Sequence, residues 1–495
     1  MQYMSTRNRD IHYTSVQAIS QGLAPDGGLF IPAYIPKLAD NALQELTAMS
    51  YQQRAVYVMK IFLEEFSTRE LTDFTKSAYN SEKYDTPAIA PVRKVMDDTY
   101  ALELWHGPTC AFKDMALQML PHLLTASLRK QEERKTACVL VATSGDTGKG
   151  ALAGFQDVPS TKVLVFYPKD GVSKVQEIQM VTQDGDNVGV TAVVGNFDDA
   201  QAGVKALFQD EALKEELGRR GYLLSSANSI NWGRVLPQIV YYISAYSDLI
   251  RDEQIEAGDL VNVCVPTGNF GNILAAYYAK LMGVPIDKLI CASNENNVLT
   301  DFLRTGVYDK NRQFYNTNSP SMDILVSSNL ERLLQAVSQD GPWVKGKMEE
   351  LAETGKYEVE PAKFSRISSQ FVGYFCDGKE VQRTIAEAYE KCDYLMDTHT
   401  AVAFHALAQY RAETEDNKKT IVVSTASPYK FCDSVLEALG VPKDSQEKDL
   451  DALTQLASKT GEPVPAPLAE LHGKKVRFTS VVEKEAMISA VQEFL

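Results

Sequence analysis

Runs of Val, Ile, Leu and Ala recur along the chain, each followed by a loop of small residues and then by apolar positions at helical spacing. "ACVLVATSGDTGKGALAGF" covers 137 to 155, "LVNVCVPTGNFGNILAAYYAKLMG" 260 to 283 and "TIVVSTASPYKFCDSVLEALG" 420 to 440. "TKVLVFYP" (161 to 168) and "VGVTAVVGNFDDAQAGVKALF" (188 to 208) add strands, with Asp198 the expected N-cap of the helix in the latter. Continuous apolar strands alternating with helices predict an α/β fold of parallel sheets covered on both faces. The first 90 residues differ: "GLAPDGGLFIP" (22 to 32) is turn-rich and polar helical stretches follow. The pattern therefore predicts an N-terminal extension domain over 1–90, a smaller α/β domain over 91–230 and a larger one over 231–495. Residues 309 to 380, with "NRQFYNTNSPSMDI", read as irregular.

Composition narrows the function. With 495 residues, 44% of them apolar, the chain can bury large cores in more than one domain. Its 65 acidic and 50 basic residues give a net charge of -15, which argues against whole-chain attraction to nucleic acid or a membrane surface. An anionic ligand then needs a local cluster of donors. Seven scattered cysteines, none in a C-x-x-C pair, predict neither a disulfide framework nor a metal site. "MQYMSTRNRD" lacks the apolar core of a signal peptide, and no stretch of 18 apolar residues occurs, so a cytoplasmic enzyme or binding protein is expected.

Open α/β sheets bind ligands at the carboxyl ends of their strands, which directs attention to the loops. In "PTGNFGN" (266 to 272), Gly268 and Gly271 let an anion approach the backbone, and a helix starting near Asn272 offers unpaired N–H groups. A phosphate would fit, and so would a plain tight turn. "TSGDTGKG" (143 to 150) is not a nucleotide P-loop, because Thr143 and Gly150 stand where that pattern needs Gly and Ser or Thr. Its hydroxyls and amides suit a carboxylate or phosphate; Asp146 or Thr147 could equally serve as a helix cap. "SSANSINWGR" sets Asn228 and Arg234 at the start of an apolar helix, and "DTHTAVA" (397 to 403) reads as a capped helix start with a chance histidine.

"LWHGPTCAFKD" (104 to 114) places Lys113 in mostly uncharged surroundings. Burial favours the neutral amine, a nucleophile toward aldehydes, so Lys113 is a candidate Schiff-base residue; an ordinary lysine with a buried stem is the alternative. Pyridoxal phosphate would unite an amine at Lys113, a phosphate nest at Gly268 to Asn272 and a ring-nitrogen partner at Thr425.

"HGPTCAFKD", "TSGDTG", "GNFDDA", "NSIN" with Arg234, "PTGNFGN", "HTAVA" and "STASPYKF" occur in the order found in the threonine synthase family, which the chain resembles from about residue 5 to 435. "STRN" and "GLAPDGGLFIP" resemble the start of its longer bacterial and fungal members. The resemblance implies a tryptophan-synthase-β-like, fold-type II pyridoxal 5'-phosphate enzyme with two parallel-sheet domains. It implies that Lys113 bonds the cofactor and also acts as catalytic base. Gly268, Asn269, Phe270, Gly271 and Asn272 would hold the cofactor phosphate, Thr425 the pyridine nitrogen, and Asp146 would lie beside the 3'-oxygen. Ser144, Thr147, Lys174, Asn228 and Arg234 would bind the substrate, O-phospho-L-homoserine, which the family converts to threonine. Cys110 and Ser427 depart from the family pattern, which has aliphatic residues and His there. A monomer or homodimer is expected. A threonine or serine dehydratase is the alternative within this chemistry; a nucleotide-binding kinase and a non-catalytic metabolite-binding relative lie outside it.

Overall fold

The computed structural model describes residues 1–441 and 450–495, and two sheets organise them. In the first, Phe371–Phe375, Ile286–Ser293, Val261–Pro266, Thr420–Ser424 and Thr99–Glu103 run parallel, and Val92–Met96 closes one edge antiparallel. The second is parallel throughout, in the order Ser480–Val482, Val188–Val193, Thr161–Pro168, Thr136–Ala142, Tyr222–Ser226. Val261–Pro266 and Thr420–Ser424 are buried at every position, which is why apolar residues dominate both strands rather than alternating with polar ones, Asn262, Thr420 and Ser424 being the exceptions.

Among the described residues no strand of the first 90 joins either sheet, but neither sheet respects the division expected at residue 230. Thr99–Glu103 is buried along its length and takes Thr420–Ser424 as its parallel partner, so the start of the 91–230 unit belongs to the other sheet. The reverse exchange occurs near the C-terminus. Helix Asp451–Thr460 packs Leu453 and Leu456 into the core beside Val435, whereas Ser480–Val482 extends the second sheet beside Val188–Val193. Helix Met487–Phe494 then buries Met487 and Val491 against Ala200 and Val204. The tail thus covers what would be an open strand edge.

The N-terminal 90 residues form a ribbon of Tyr3–Ser5 with Phe30–Pro32 and helices Ser15–Gln21, Ala42–Leu46, Tyr51–Phe62 and Thr68–Ala78. Ser50 with Gln53, and Ser67 with Glu70, cap the last two helices reciprocally. This region is anchored to the rest by buried polar contacts. Arg54 pairs with Asp248 at 2.7 Å, and the Tyr79 hydroxyl donates to the Met115 carbonyl at 2.5 Å, two residues beyond Lys113.

Two local expectations change. The helix after Val188–Val193 starts at Phe197 with Asn196 as its cap, because Asn196 and Asp199 satisfy one another's backbone N–H groups. Asp198 is that helix's second residue, and its side chain lies outside the described residues. The stretch from 309 to 380 is largely regular, with helices Leu330–Ser338, Gly341–Thr354 and Pro361–Ser368 and edge strand Phe371–Phe375. Only its first part is irregular, and side chains order it: Asp323 accepts from Asn294 Nδ2 at 2.7 Å and from the Thr317 N–H at 3.0 Å.

Helix Asp146–Phe155 lies directly against the short helix Asp114–Leu117 that follows Lys113. A Cβ at Gly154 would stand 2.0 Å from the Leu117 carbonyl oxygen. Gly154→Ala should therefore destabilise the protein by ~1–3 kcal/mol, the usual range for overpacking, read as a lower urea midpoint; an unchanged midpoint would show that the two helices can separate freely.

Candidate active site

Five strand ends converge on one cleft. The loop after Thr99–Glu103 brings Lys113, that after Thr136–Ala142 brings Asp146 and Thr147, and that after Tyr222–Ser226 brings Asn228. Thr425 directly follows Thr420–Ser424, and residues 267 to 272 follow Val261–Pro266. Arg234 reaches the cleft from the first turn of the buried helix Trp232–Arg251.

Asp146 is fully enclosed and bound on both oxygens. One accepts from Gln176 Nε2 at 2.8 Å and pairs with Lys430 Nζ at 2.8 Å; the other accepts from Lys113 Nζ at 3.2 Å and Ser321 Oγ at 3.4 Å. Burial opposes its charge, but Lys430 and then Lys113 override that and hold the carboxyl well below the usual carboxylate range. Lys113 is only 9% exposed. Burial lowers its proton affinity, Asp146 works against that, and Lys430 and Arg234 add to it, leaving the amine easier to deprotonate than an ordinary lysine.

Local structure frees Asp146 for this position. The cap of helix Asp146–Phe155 is neither Asp146 nor Thr147: Thr143 Oγ1 accepts from the Gly145 and Gly148 N–H groups at 2.9 and 2.8 Å. Gly145 has a φ of +121°, and a Cβ there would stand 2.5 Å from the Gln176 amide carbon, so glycine lets Gln176 reach the carboxylate.

The loop from 267 to 272 has the features of an anion nest. Helix Gly271–Met282 begins after Phe270, a buried residue in the left-handed region, and has no side-chain cap. A Cβ at Gly268 would approach the Ser321 carbonyl oxygen to 2.9 Å. Asn272 Oδ1 accepts from both Tyr241 and Tyr242 hydroxyls, at 2.5 and 2.6 Å, and its buried Nδ2 has no hydrogen-bond partner. Arg234 donates through Nη1 to the Ala227 carbonyl, while its buried Nε is likewise unpartnered; burial pushes its pKa down to about 10. The orphaned Asn272 donor and an uncapped helix start beside an amine fit a phosphate-bearing aldehyde such as pyridoxal phosphate, and the orphaned Arg234 Nε is a further donor in the same cleft.

Two expected substrate contacts are not brought to the cleft. Ser144 is half-buried in its loop but does not line the cleft. Lys174 starts helix Lys174–Val181, half-exposed and paired with Glu177 at 3.0 Å.

Other residues were not foreseen. His399 lines the cleft; its Nε2 accepts from the Ser321 N–H at 3.1 Å and its Nδ1 faces Asp397 at 2.7 Å. Asp397 does cap its helix, as the pattern suggested, but the histidine is more than a bystander because it fixes the 320–322 turn over the cleft. Gln238, one turn after Arg234, also lines it. Lys430 lies within "STASPYKF", but nothing in its spacing marks it as a partner of Asp146.

Behind the 267–272 loop lies Arg332, wholly buried, donating to the carbonyls of Phe30, Ser229 and Ile230 at 3.1, 3.1 and 2.6 Å and to Asn329 Oδ1. Asn329 Nδ2 in turn donates to Ser229 Oγ and to the Asn269 carbonyl, both at 3.0 Å. Glu331 receives Thr6 Oγ1 and a two-pronged grip from Arg7 at 2.8 and 2.9 Å. This explains "STRN": it clasps the helix that braces the nest.

The departures at 110 and 427 are structural. Burial pushes the Cys110 thiol up to about 12, so it packs as an inert group. Ser427 is fully buried and caps the turn Pro428–Phe431, accepting from the Tyr429 N–H at 3.3 Å.

Comparisons with known proteins agree along the whole chain. Residues 2–79 match the family "Threonine synthase N terminus", 86–426 "Pyridoxal-phosphate dependent enzyme" and 400–495 "Threonine synthase, C-terminal". The human protein "Threonine synthase-like 1" is 40% identical over 90% of the chain, which spans 61% of that relative's length. Threonine synthase of Saccharomyces cerevisiae is 36% identical, covering 100% of this chain and 98% of its own. The crystal structure of pyridoxal-phosphate-bound threonine synthase from Brucella melitensis superposes with a TM-score of 0.87 at 34% identity, over 100% of this chain and 99% of the other.

Replacing Arg332 by Met strands several buried carbonyls at once. A loss of ~1–3 kcal/mol per stranded group is expected in urea unfolding, together with weaker retention of pyridoxal phosphate; a variant as stable as the parent would remove Arg332 from its bracing role.

Proposed function

Because the chain belongs to the threonine synthase family of pyridoxal-phosphate-dependent enzymes, we propose that it converts O-phospho-L-homoserine and water to L-threonine and phosphate. The observation that carries this reading is the convergence in one cleft of a buried lysine, an uncapped helix start and a second, separate cation in Arg234. An amine and one nest would serve any enzyme of this chemistry. Arg234 is the additional donor that a phosphorylated substrate requires.

Bound pyridoxal phosphate supplies an aldehyde for an amine and a ring that withdraws electrons from the carbon bearing that amine. In the proposed assignment Lys113 is the tether, Thr425 faces the ring nitrogen, and residues 268 to 272 hold the cofactor phosphate. Released by the substrate's own amine, Lys113 is a neutral base that takes the α-proton. Asn228, Thr147 and Arg234 hold the substrate phosphate as it leaves the γ-carbon, with charge stabilisation that is already in place before the bond breaks. Ser144 and Lys174 remain proposed contacts at the rim. A proton leaves the β-carbon as the phosphate departs, water then adds at the β-carbon, and protonation of the γ- and α-carbons completes threonine.

Seven free cysteines, six of them buried, support a reducing compartment, and the proposed location is the cytoplasm. Among the described residues no helix is long and apolar enough to cross a membrane. The proposed assembly is a monomer or homodimer. The proposed domain division keeps the extension over 1–90 and assigns the rest by sheet.

Lys113→Ala should abolish the visible absorbance of the bonded cofactor and lower phosphate release from phosphohomoserine by more than ~10²-fold, the scale of a lost general base; retained turnover would refute the assignment. Thr425→Asp should hold the ring nitrogen protonated and divert product from threonine toward keto acid. An unchanged product ratio would count against a hydroxyl partner at that nitrogen.

A further inference from the structure

We propose that Lys430 is a positioning residue: it keeps Asp146 ionised and electrostatically occupied, so that Lys113 is the lysine of the pair that gives up its proton. The inference rests on the reading of Lys113 as the cofactor's tether and explains how that lysine comes to be a free amine.

One carboxylate cannot satisfy two buried ammonium groups equally, and the geometry ranks them. Lys430 Nζ is fully enclosed and makes two short bonds, to Asp146 Oδ1 and to the Thr109 carbonyl, each 2.8 Å. Lys113 Nζ makes one longer bond, 3.2 Å to Asp146 Oδ2, and lies 4.6 Å from the centre of the Phe112 ring. Two charge-assisted bonds at better length outweigh one, so Lys430 holds the carboxylate more firmly than Lys113 does.

The surroundings push the same way. Arg234 adds positive charge from the buried helix; Lys149, on the helix that Asp146 begins, acts on Asp114 instead and is itself pushed down to about 7 by burial. Asp114 faces this group as well, but burial pushes its carboxyl up to about 6, and its oxygens are engaged by the Thr109 N–H and hydroxyl at 2.8 and 2.7 Å. His399 lines the cleft with Nδ1 against Asp397. Lys430 itself is carried on the Ser427-capped turn, and its carbonyl accepts from the Ser173 hydroxyl at 3.0 Å.

The test follows the protonation of Lys113 through its condensation with added pyridoxal phosphate in the full-length chain freed of cofactor. Amine and aldehyde join with loss of one water, and only the unprotonated amine reacts, so the rate rises with pH to a midpoint that reports Lys113. Lys430→Met leaves Asp146 to Lys113 alone and should raise that midpoint by about one unit, slowing condensation ~10-fold below it. Asp146→Asn leaves the cations unopposed and should lower the midpoint. Opposite shifts are something that general damage to the fold would not produce. A midpoint unmoved by Lys430→Met overturns the proposal; if that variant does not fold, an Asp146→Asn midpoint at or above the parent's overturns it. Failure to find borohydride-trapped cofactor on Lys113 of the parent protein is a separate result, which would overturn the reading of Lys113 itself.

Discussion

A carboxylate buried between two lysine ammonium groups is the constraint on which the cleft depends. Ionised Asp146 would be expensive in this interior without compensating cations, and two buried lysines would be equally so without it. The three charges must therefore be delivered together by segments far apart in the chain: the loop ending at Lys113, the first residue of helix Asp146–Phe155 and the turn at Pro428–Phe431. Much nearby detail reads as a consequence. Thr143 takes over the helix cap, Gly145 clears space for Gln176, and Ser427 caps the turn that carries Lys430.

A second polar seam joins the N-terminal region to the ligand loops. Arg332 ties the carbonyls of 30, 229 and 230 together, Asn329 extends the seam to Asn269, and Glu331 receives Thr6 and Arg7. Burial pushes the Arg332 guanidinium down to about 10 because its direct acceptors are carbonyls and an amide. Such a seam fixes relative position more firmly than apolar packing, since any slip leaves buried groups unpaired. The extension is thus part of the framework that holds the nest.

Parallel sheets contribute the remaining order. Within each sheet the strand-end loops open on one side because parallel strands point their carboxyl ends together, and the cleft forms where the two sets of loops meet, with helix starts there presenting N–H groups. The tail follows the same logic at an edge, packing first on one core and then extending the other sheet through Ser480–Val482.

The sequence by itself determined the α/β class and the strands at 137, 261 and 420, because these depend on local apolar periodicity; the ligand loops and Lys113 stood out only through motifs that occur in the order of a known family. It mislaid the cap at 196, since Asn196 and the Asp that follows are both able caps and only backbone geometry chooses between them. It could not assign Thr99–Glu103 and Ser480–Val482 to sheets, because strand partners are chosen across hundreds of residues. Lys430, His399, Gln238 and Arg332 acquire their places only when distant segments meet. A lysine or arginine in a string carries no mark of being buried, and it was the tertiary structure, by removing water and supplying one carboxylate or a ring of carbonyls, that decided which of them matter.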